Sequence, residues 1–331
     1  MNHVIVIVCG PFGNHGTLAV RLSSVETEGT IAMKHVHRKY TGSLALMFLL
    51  VCAGSGAQGL TFKFKTYDVS NAIQTWLTSI SNDGTIVGWF VDQQGNAHGF
   101  TLVNGNFQQI DDGPQTEIWG INRKGDLVGS YYDGCIEEVC EEGFRYHNGV
   151  FSDIGPKWFT TPPEDDSPDT QAFGINDAGE IVGMAGDGFG GTVGFLRTQG
   201  QYTKLKVPGA DGEQAVGINK AGLVILDWAT NNYSRVSLYN GNNYTDISVP
   251  NAVNSYQGGV NNNGDAVLGF DNGFGDPIHG ALLHAGKYYK FSDPKSKYLT
   301  LPFGLNDKHT IVGVWNDGQQ NVNVHGFIAT Y

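Results

Sequence analysis

Charge of one sign, cysteine and long apolar runs are all scarce in this sequence. Basic residues number 20 against 32 acidic ones, a net charge of -12, and only 16% of the 331 residues are charged. A surface of that sign repels phosphate backbones and anionic headgroups, so nucleic acid and peripheral membrane partners are excluded, while neutral and cationic partners stay open. Four cysteines are too few for a disulfide-framed scaffold. The apolar run Leu44–Val51 is well short of a bilayer crossing, so no stable membrane span is expected. Helical periodicity is scarce too, whereas 47 glycines suit many short strands joined by tight turns.

The N-terminal part reads as a processing signal. Met33 begins the basic stretch Lys34-His35-Val36-His37-Arg38-Lys39, which Leu44–Val51 and the small residues Ser55-Gly56-Ala57 follow. This is the order of a secretory signal peptide over 33–57 with cleavage after Ala57, and it predicts a secreted, extracellular protein. Translation is expected to start at Met33, which leaves residues 1–32 as upstream sequence, untranslated or disordered. Cleavage would leave 16 basic against 30 acidic residues.

Beyond residue 57 one phrase recurs. It reads Gly120-Ile121-Asn122-Arg123-Lys124-Gly125-Asp126-Leu127-Val128-Gly129 and Gly174-Ile175-Asn176-Asp177-Ala178-Gly179-Glu180-Ile181-Val182-Gly183 in its clearest copies. Further copies centre on Asn82, Asn219, Asn261 and Asn306, six in all. Two β-branched runs flank a polar turn in which Asn bonds the backbone and Gly takes positive φ, which is a hairpin. A third strand follows, as in Ala97-His98-Gly99-Phe100, and then a fourth, as in Asn106-Phe107-Gln108-Gln109. Four strands per repeat predict an all-β fold, a six-bladed β-propeller of four-stranded antiparallel blades. The blades are expected at 74–111, 115–155, 170–207, 213–249, 255–293 and 299–331, forming one domain over 58–331. The last repeat stops after its third strand. Phe64–Ala72 matches the fourth-strand segment Tyr244–Ala252, so a closing strand at 61–69 is expected to complete the ring and remove its exposed edges.

These phrases resemble the HAF family of extracellular repeats, whose His-Ala-Phe signature has its counterparts in His98-Gly99-Phe100 and His325-Gly326-Phe327, with Gly in place of Ala. The resemblance covers about residues 60–331 and implies an extracellular bacterial protein. It carries no catalytic residues to transfer. Blade four departs from the pattern at Leu223-Val224-Ile225-Leu226, which lacks the strand glycine.

Candidate sites come from residues that break the repeat. His98, His279 and His325 share one repeat position and are read as structural, bonded to a neighbouring blade. Blade two carries two long insertions on one face, with Tyr132, Trp158 and Phe159 as ligand-binding candidates. Cys135 and Cys140 lie within the first insertion, where an oxidising compartment predicts a local disulfide. Glu164, Asp165, Asp166 and Asp169 in the second match no calcium loop. They are kept as weak candidates for calcium, with no other cofactor or metal expected. Trp89, Trp228 and Trp315 close second strands beside carboxylates, an arrangement that suits sugar stacking, against packing between blades. The first strands should ring the channel mouth. There Tyr256 is a further ligand candidate, and Glu117 and Glu213 are the acid and base if the protein is an enzyme.

The favoured expectation is a monomeric, non-enzymatic secreted binding module for a polysaccharide or an extracellular surface protein. The alternatives are a glycan hydrolase or lyase working at the channel mouth and a structural envelope or matrix protein.

Overall fold

Burial nearly alternates at the start of most inner strands, while second strands such as Ile86–Val91 and Ala266–Asp271 are buried almost throughout. In the first strand of blade one, Thr75, Leu77, Thr78 and Ile80 are buried and Gln74, Trp76 and Ser79 partly exposed. Such strands need a second apolar face, and the ring supplies it by laying each sheet against the next. In the computed structural model the described residues are 5–6, 23–24, 59–113, 115–132, 141–156, 170–186, 191–318 and 323–331. The chain divides into two units. In Met1–Gly56 the described part is one antiparallel pair, Ile5–Val6 with Ser23–Ser24. Ala57–Tyr331 is the six-bladed β-propeller. Among the described residues no helix is long and apolar enough to cross a membrane.

The innermost strands of blades one to six are Gln74–Ile80, Glu117–Ile121, Thr170–Ile175, Gly212–Ile218, Asn254–Val260 and Leu299–Leu305. Blade six ends on Val324–Thr330 and receives the closing strand Lys63–Tyr67 as its fourth, in the register Gly326↔Tyr67 to Thr330↔Lys63. The expected circular closure is therefore the observed one. Phe62 and Phe64 then pack on Phe291 and Phe327, with ring centroids 4.6 and 5.6 Å apart.

Each seam between blades holds its own apolar cluster. Val69, Leu77 and Val312 join blades six and one, for instance, and Ile225, Val249 and Leu268 join blades four and five. The Gly-Phe phrase of the third strand serves these seams. Phe100, Phe144, Phe195 and Phe327 are fully buried. A Cβ on Gly99 would sit 2.6 Å from the Ile110 carbonyl and 2.7 Å from Ile118 of the next blade, so only glycine lets the sheets approach that closely.

The recurring Asn explains the turns and the ring together. Asn261 Oδ1 accepts the backbone N–H groups of Asn263 at 3.0 Å and Asp265 at 2.9 Å, and its Nδ2 donates to the Asn306 carbonyl of the next blade at 3.3 Å. Asn122, Asn176, Asn219 and Asn306 repeat the contact onto Asn176, Asn219, Asn261 and Ser81. The result is a hydrogen-bonded belt around the channel, with Ser81 in the Asn position of blade one.

Candidate functional site: the two mouths of the channel

Every inner strand carries a bulge at nearly the same point, between Leu77 and Ser79, Ile118 and Gly120, Ala172 and Gly174, Ala215 and Gly217, Tyr256 and Gly258, and Pro302 and Gly304. The extra residue re-aims a side chain. Three such residues, Trp119, Phe173 and Phe303, meet across the axis, with Trp119 5.6 Å from Phe173 and 5.9 Å from Phe303. The channel therefore carries an aromatic plug. A polar well lies on the side of the Asn turns, the turn face. The opposite side is the loop face, where the inner strands begin.

Strand register decides which side chains line the loop-face mouth. The first buried position of each inner strand is a staple. Thr75, Thr116, Ser255 and Thr300 accept backbone N–H groups of Val69, Asp112, Val249 and Asp293 at 2.9 to 3.1 Å. The next position belongs to the opposite face of the strand. It holds Trp76, Glu117, Gln171, Gln214, Tyr256 and Leu301. Glu213 pairs with Trp228 as Thr75 pairs with Phe90, so it occupies the staple position and is only 2% exposed. The expectation that Glu213 rings the mouth together with Glu117 is corrected on this ground. The residue that shares the register of Gln214 is Asp227.

The mouth has two unlike walls. Trp76 stacks on Trp89 with centroids 4.8 Å apart and planes 9° from parallel, and it lies 5.9 Å from Phe303. Trp76, Tyr256 and Leu301 belong to one apolar cluster with Trp119 and Phe303. The indole N–H of Trp89 is buried with no partner among the described residues. Blades two to four supply the polar wall. Ser130 Oγ donates to Glu141 Oε1 at 2.6 Å, and Gln171 Nε2 donates to Glu141 Oε2. Burial, and then the neighbouring Glu141, push the Glu117 carboxyl up to about 7. Burial lifts Asp227 to about 7 against the opposing N–H of Gln257, which donates to Asp227 Oδ2 at 3.1 Å. Tyr256 donates its hydroxyl to Asp271, and burial followed by that carboxylate holds its own proton on more tightly than usual.

A stability prediction follows from Glu117. The folded state holds a proton that an unfolded carboxyl releases near its ordinary value of 4.5, so stability is greatest below that pH and falls as pH rises toward 7. The full swing is on the order of 3 kcal/mol. Glu117→Gln should roughly halve the fall of the urea midpoint between pH 5 and 7, leaving the comparable slope of Asp227; an unchanged profile contradicts the assignment.

The remaining expected residues fall elsewhere. Trp228 donates its Nε1 to Ser237 Oγ at 3.0 Å and packs at the seam of blades three and four. Trp315, 5% exposed, stacks on His325 at 4.4 Å. Both follow the packing alternative rather than sugar stacking. Trp89 is not their equivalent, because Phe90 has that register. Tyr132 ends the second strand of blade two, half-buried and paired with Glu141. The histidines bond within their own blades and not to a neighbour: His98 with Asp92 and Asp111, His279 with Ser292, and His325 with Asp68 of the closing strand. Cys135, Cys140, Trp158, Phe159, Glu164, Asp165, Asp166 and Asp169 lie outside the described residues. Among the described residues no group of three or more His, Cys, Asp or Glu could hold a metal ion. Asp227 was read from the sequence only as the carboxylate beside Trp228, and Glu141 and Trp119 were missed. The signal that could have found the last is the second-strand glycine: a Cβ on Gly129 would lie 2.0 Å from the Glu117 carbonyl, a mark of the bulge opposite.

No family model matches the chain, and no curated protein matches it. Among solved structures, TolB from Acinetobacter baumannii matches at 10% identity and a TM-score of 0.53, over 75% of this chain and 64% of the TolB chain. The chain thus spans less than two thirds of TolB, and the likeness shows the fold alone. A Dyadobacter fermentans protein of unknown function matches at 11% identity and a TM-score of 0.49, over 81% of this chain and 99% of that one. The lectin of Aleuria aurantia, a six-bladed β-propeller with fucose recognition, matches at 12% identity and a TM-score of 0.42, over 70% and 77% of the two chains.

Proposed function

We propose that this propeller is a secreted, non-enzymatic binding module whose loop-face mouth takes a neutral polysaccharide. The observation that carries the reading is the pairing of an aromatic wall, Trp76 on Trp89 beside Tyr256, with a wall of carboxyls and amides, Glu117, Glu141, Gln171 and Asp227. A sugar ring has an apolar C–H face and a rim of hydroxyls, and these walls complement the two parts. Secretion rests on the leader-like stretch 33–57 and on the resemblance to HAF repeats.

A glycan array probed with the purified protein tests the reading. Wild type should retain a neutral glycan, and Trp76→Ala should weaken it at least tenfold, about 1.4 kcal/mol, with Trp76→Phe recovering most of the loss. Binding that ignores Trp76 but is lost with Trp158→Ala and Phe159→Ala would move the site to the blade-two insertions. No glycan retained at all would favour a surface-protein partner or a structural role.

One observation favours hydrolase or lyase chemistry as a second reading: Glu117, held protonated up to about 7, lies beside Glu141, which accepts two hydrogen bonds. A carboxyl held protonated beside a second carboxyl that accepts hydrogen bonds is the starting arrangement for general acid and base work. Polysaccharide turnover abolished by both Glu117→Gln and Glu141→Gln would establish it.

A further inference from the structure

The turn-face mouth has a different chemistry. Its well has a volume of about 120 Å³, room for a compact ion with a few waters, and the inner strands and the Asn turns of all six blades line it. Glycines at the narrowest level make the convergence feasible. A Cβ on Gly120 would fall 2.7 Å from the Phe173 carbonyl, and one on Gly259 2.6 Å from the Phe303 carbonyl.

Around this well most side-chain acceptors are spent. Each belt Asn uses its oxygen on its own turn and its nitrogen on the next blade. The residue after the belt Asn forms a second circuit. Arg123 N–H donates to Asp177 Oδ1, Lys220 N–H to Asn262 Oδ1, Asn262 N–H to Asp307 Oδ1 and Asp307 N–H to Asn82 Oδ1, all at 2.8 to 2.9 Å. Both oxygens of Asp307 are engaged, since Oδ2 accepts from Asn82 Nδ2 at 2.6 Å and from Asn262 Nδ2 at 2.9 Å.

Two donors are left. Lys220 is exposed, and its ammonium makes no ion pair among the described residues. The Arg123 side chain is 65% exposed and touches Asp177 only through Nε at 3.5 Å, which leaves the two terminal nitrogens of its fork for a ligand. The circuit breaks at these same two residues, because neither cation can accept the N–H that an Asn or Asp would accept there. Apart from the Asp177 carboxylate, whose Oδ2 lies 3.5 Å from Arg123 Nε, spare side-chain capacity at the rim is therefore donor-only and cationic, in a protein whose net charge is -12.

We propose that the turn-face well binds a small multivalent anion of the phosphate or dicarboxylate class, held by the Arg123 guanidinium and the Lys220 ammonium. Isothermal titration of the full chain with inorganic phosphate and with succinate at constant ionic strength, chloride serving as control, tests it. Saturable binding of either anion beyond chloride is expected, weakened at least tenfold by Lys220→Ala and by Arg123→Ala and unaffected by Trp76→Ala. Heats no different from chloride, or full affinity in both cation variants, would overturn the proposal. Because Trp76 serves the opposite mouth, failure here leaves the glycan reading standing.

Discussion

A chain lacking residues 59–69 should fail to form the closed ring: its unfolding midpoint should fall by more than 10 °C, or the protein should not fold. The deletion removes all five register pairs on Val324–Thr330 and exposes that edge. It also removes the Phe62 and Phe64 contacts to Phe291 and Phe327, and the Val69 N–H bonded to the Thr75 staple at 2.9 Å. Losing a strand and two half-buried rings costs roughly 5 kcal/mol, comparable to the whole stability of an ordinary domain. Calorimetry of the truncated and complete chains measures the effect. A synthetic peptide of residues 59–72, added in trans, should restore the transition, which separates loss of closure from general damage. An unchanged midpoint after truncation would mean that the final sheet does not depend on its borrowed strand.

The second large effect is expected at the belt. Asn261 is 3% exposed and makes four bonds: it accepts from Asn263 and Asp265, and its Nδ2 lies at hydrogen-bond distance from the Asn306 carbonyl and Asp265 Oδ2. Asn261→Ala would leave buried backbone groups unpaired both in the turn and in the next blade. About 2 to 4 kcal/mol should be lost, since each orphaned group costs about 1 to 3 kcal/mol. For a domain of this size that lowers the midpoint by several degrees. Asn262→Ala, one residue on and exposed, is the control and should lose much less. Equal losses in the two variants would show that the exposed second circuit, in which Asn262 joins Lys220 and Asp307, holds the ring as firmly as the belt does.

Much of this fold was legible because its repeat is chemical as well as statistical. The Asn of each Gly-Ile-Asn phrase recurs because one side chain closes a turn and a seam at once, and the match of Phe64–Ala72 to Tyr244–Ala252 revealed circular closure because an unpaired edge is costly. The loop-face mouth was legible only in part. Tyr256 and Glu117 follow from counting along a strand, but a shift of one residue exchanges seam for channel. That shift moved Glu213 to a staple, put Asp227 at the mouth and separated Trp89 from Trp228 and Trp315. The bulge that aims Trp119 and Phe303 at the axis is a backbone event, visible in sequence only through the glycine facing it.

The most direct measurement of the proposed function is a crystal structure with an oligosaccharide taken from the array. Sugar density stacked on Trp76, with hydroxyls directed at Glu117, Gln171 or Asp227, is the predicted result. Density confined to the blade-two insertions or to the outer blades, with the loop-face mouth filled by water alone, would contradict it.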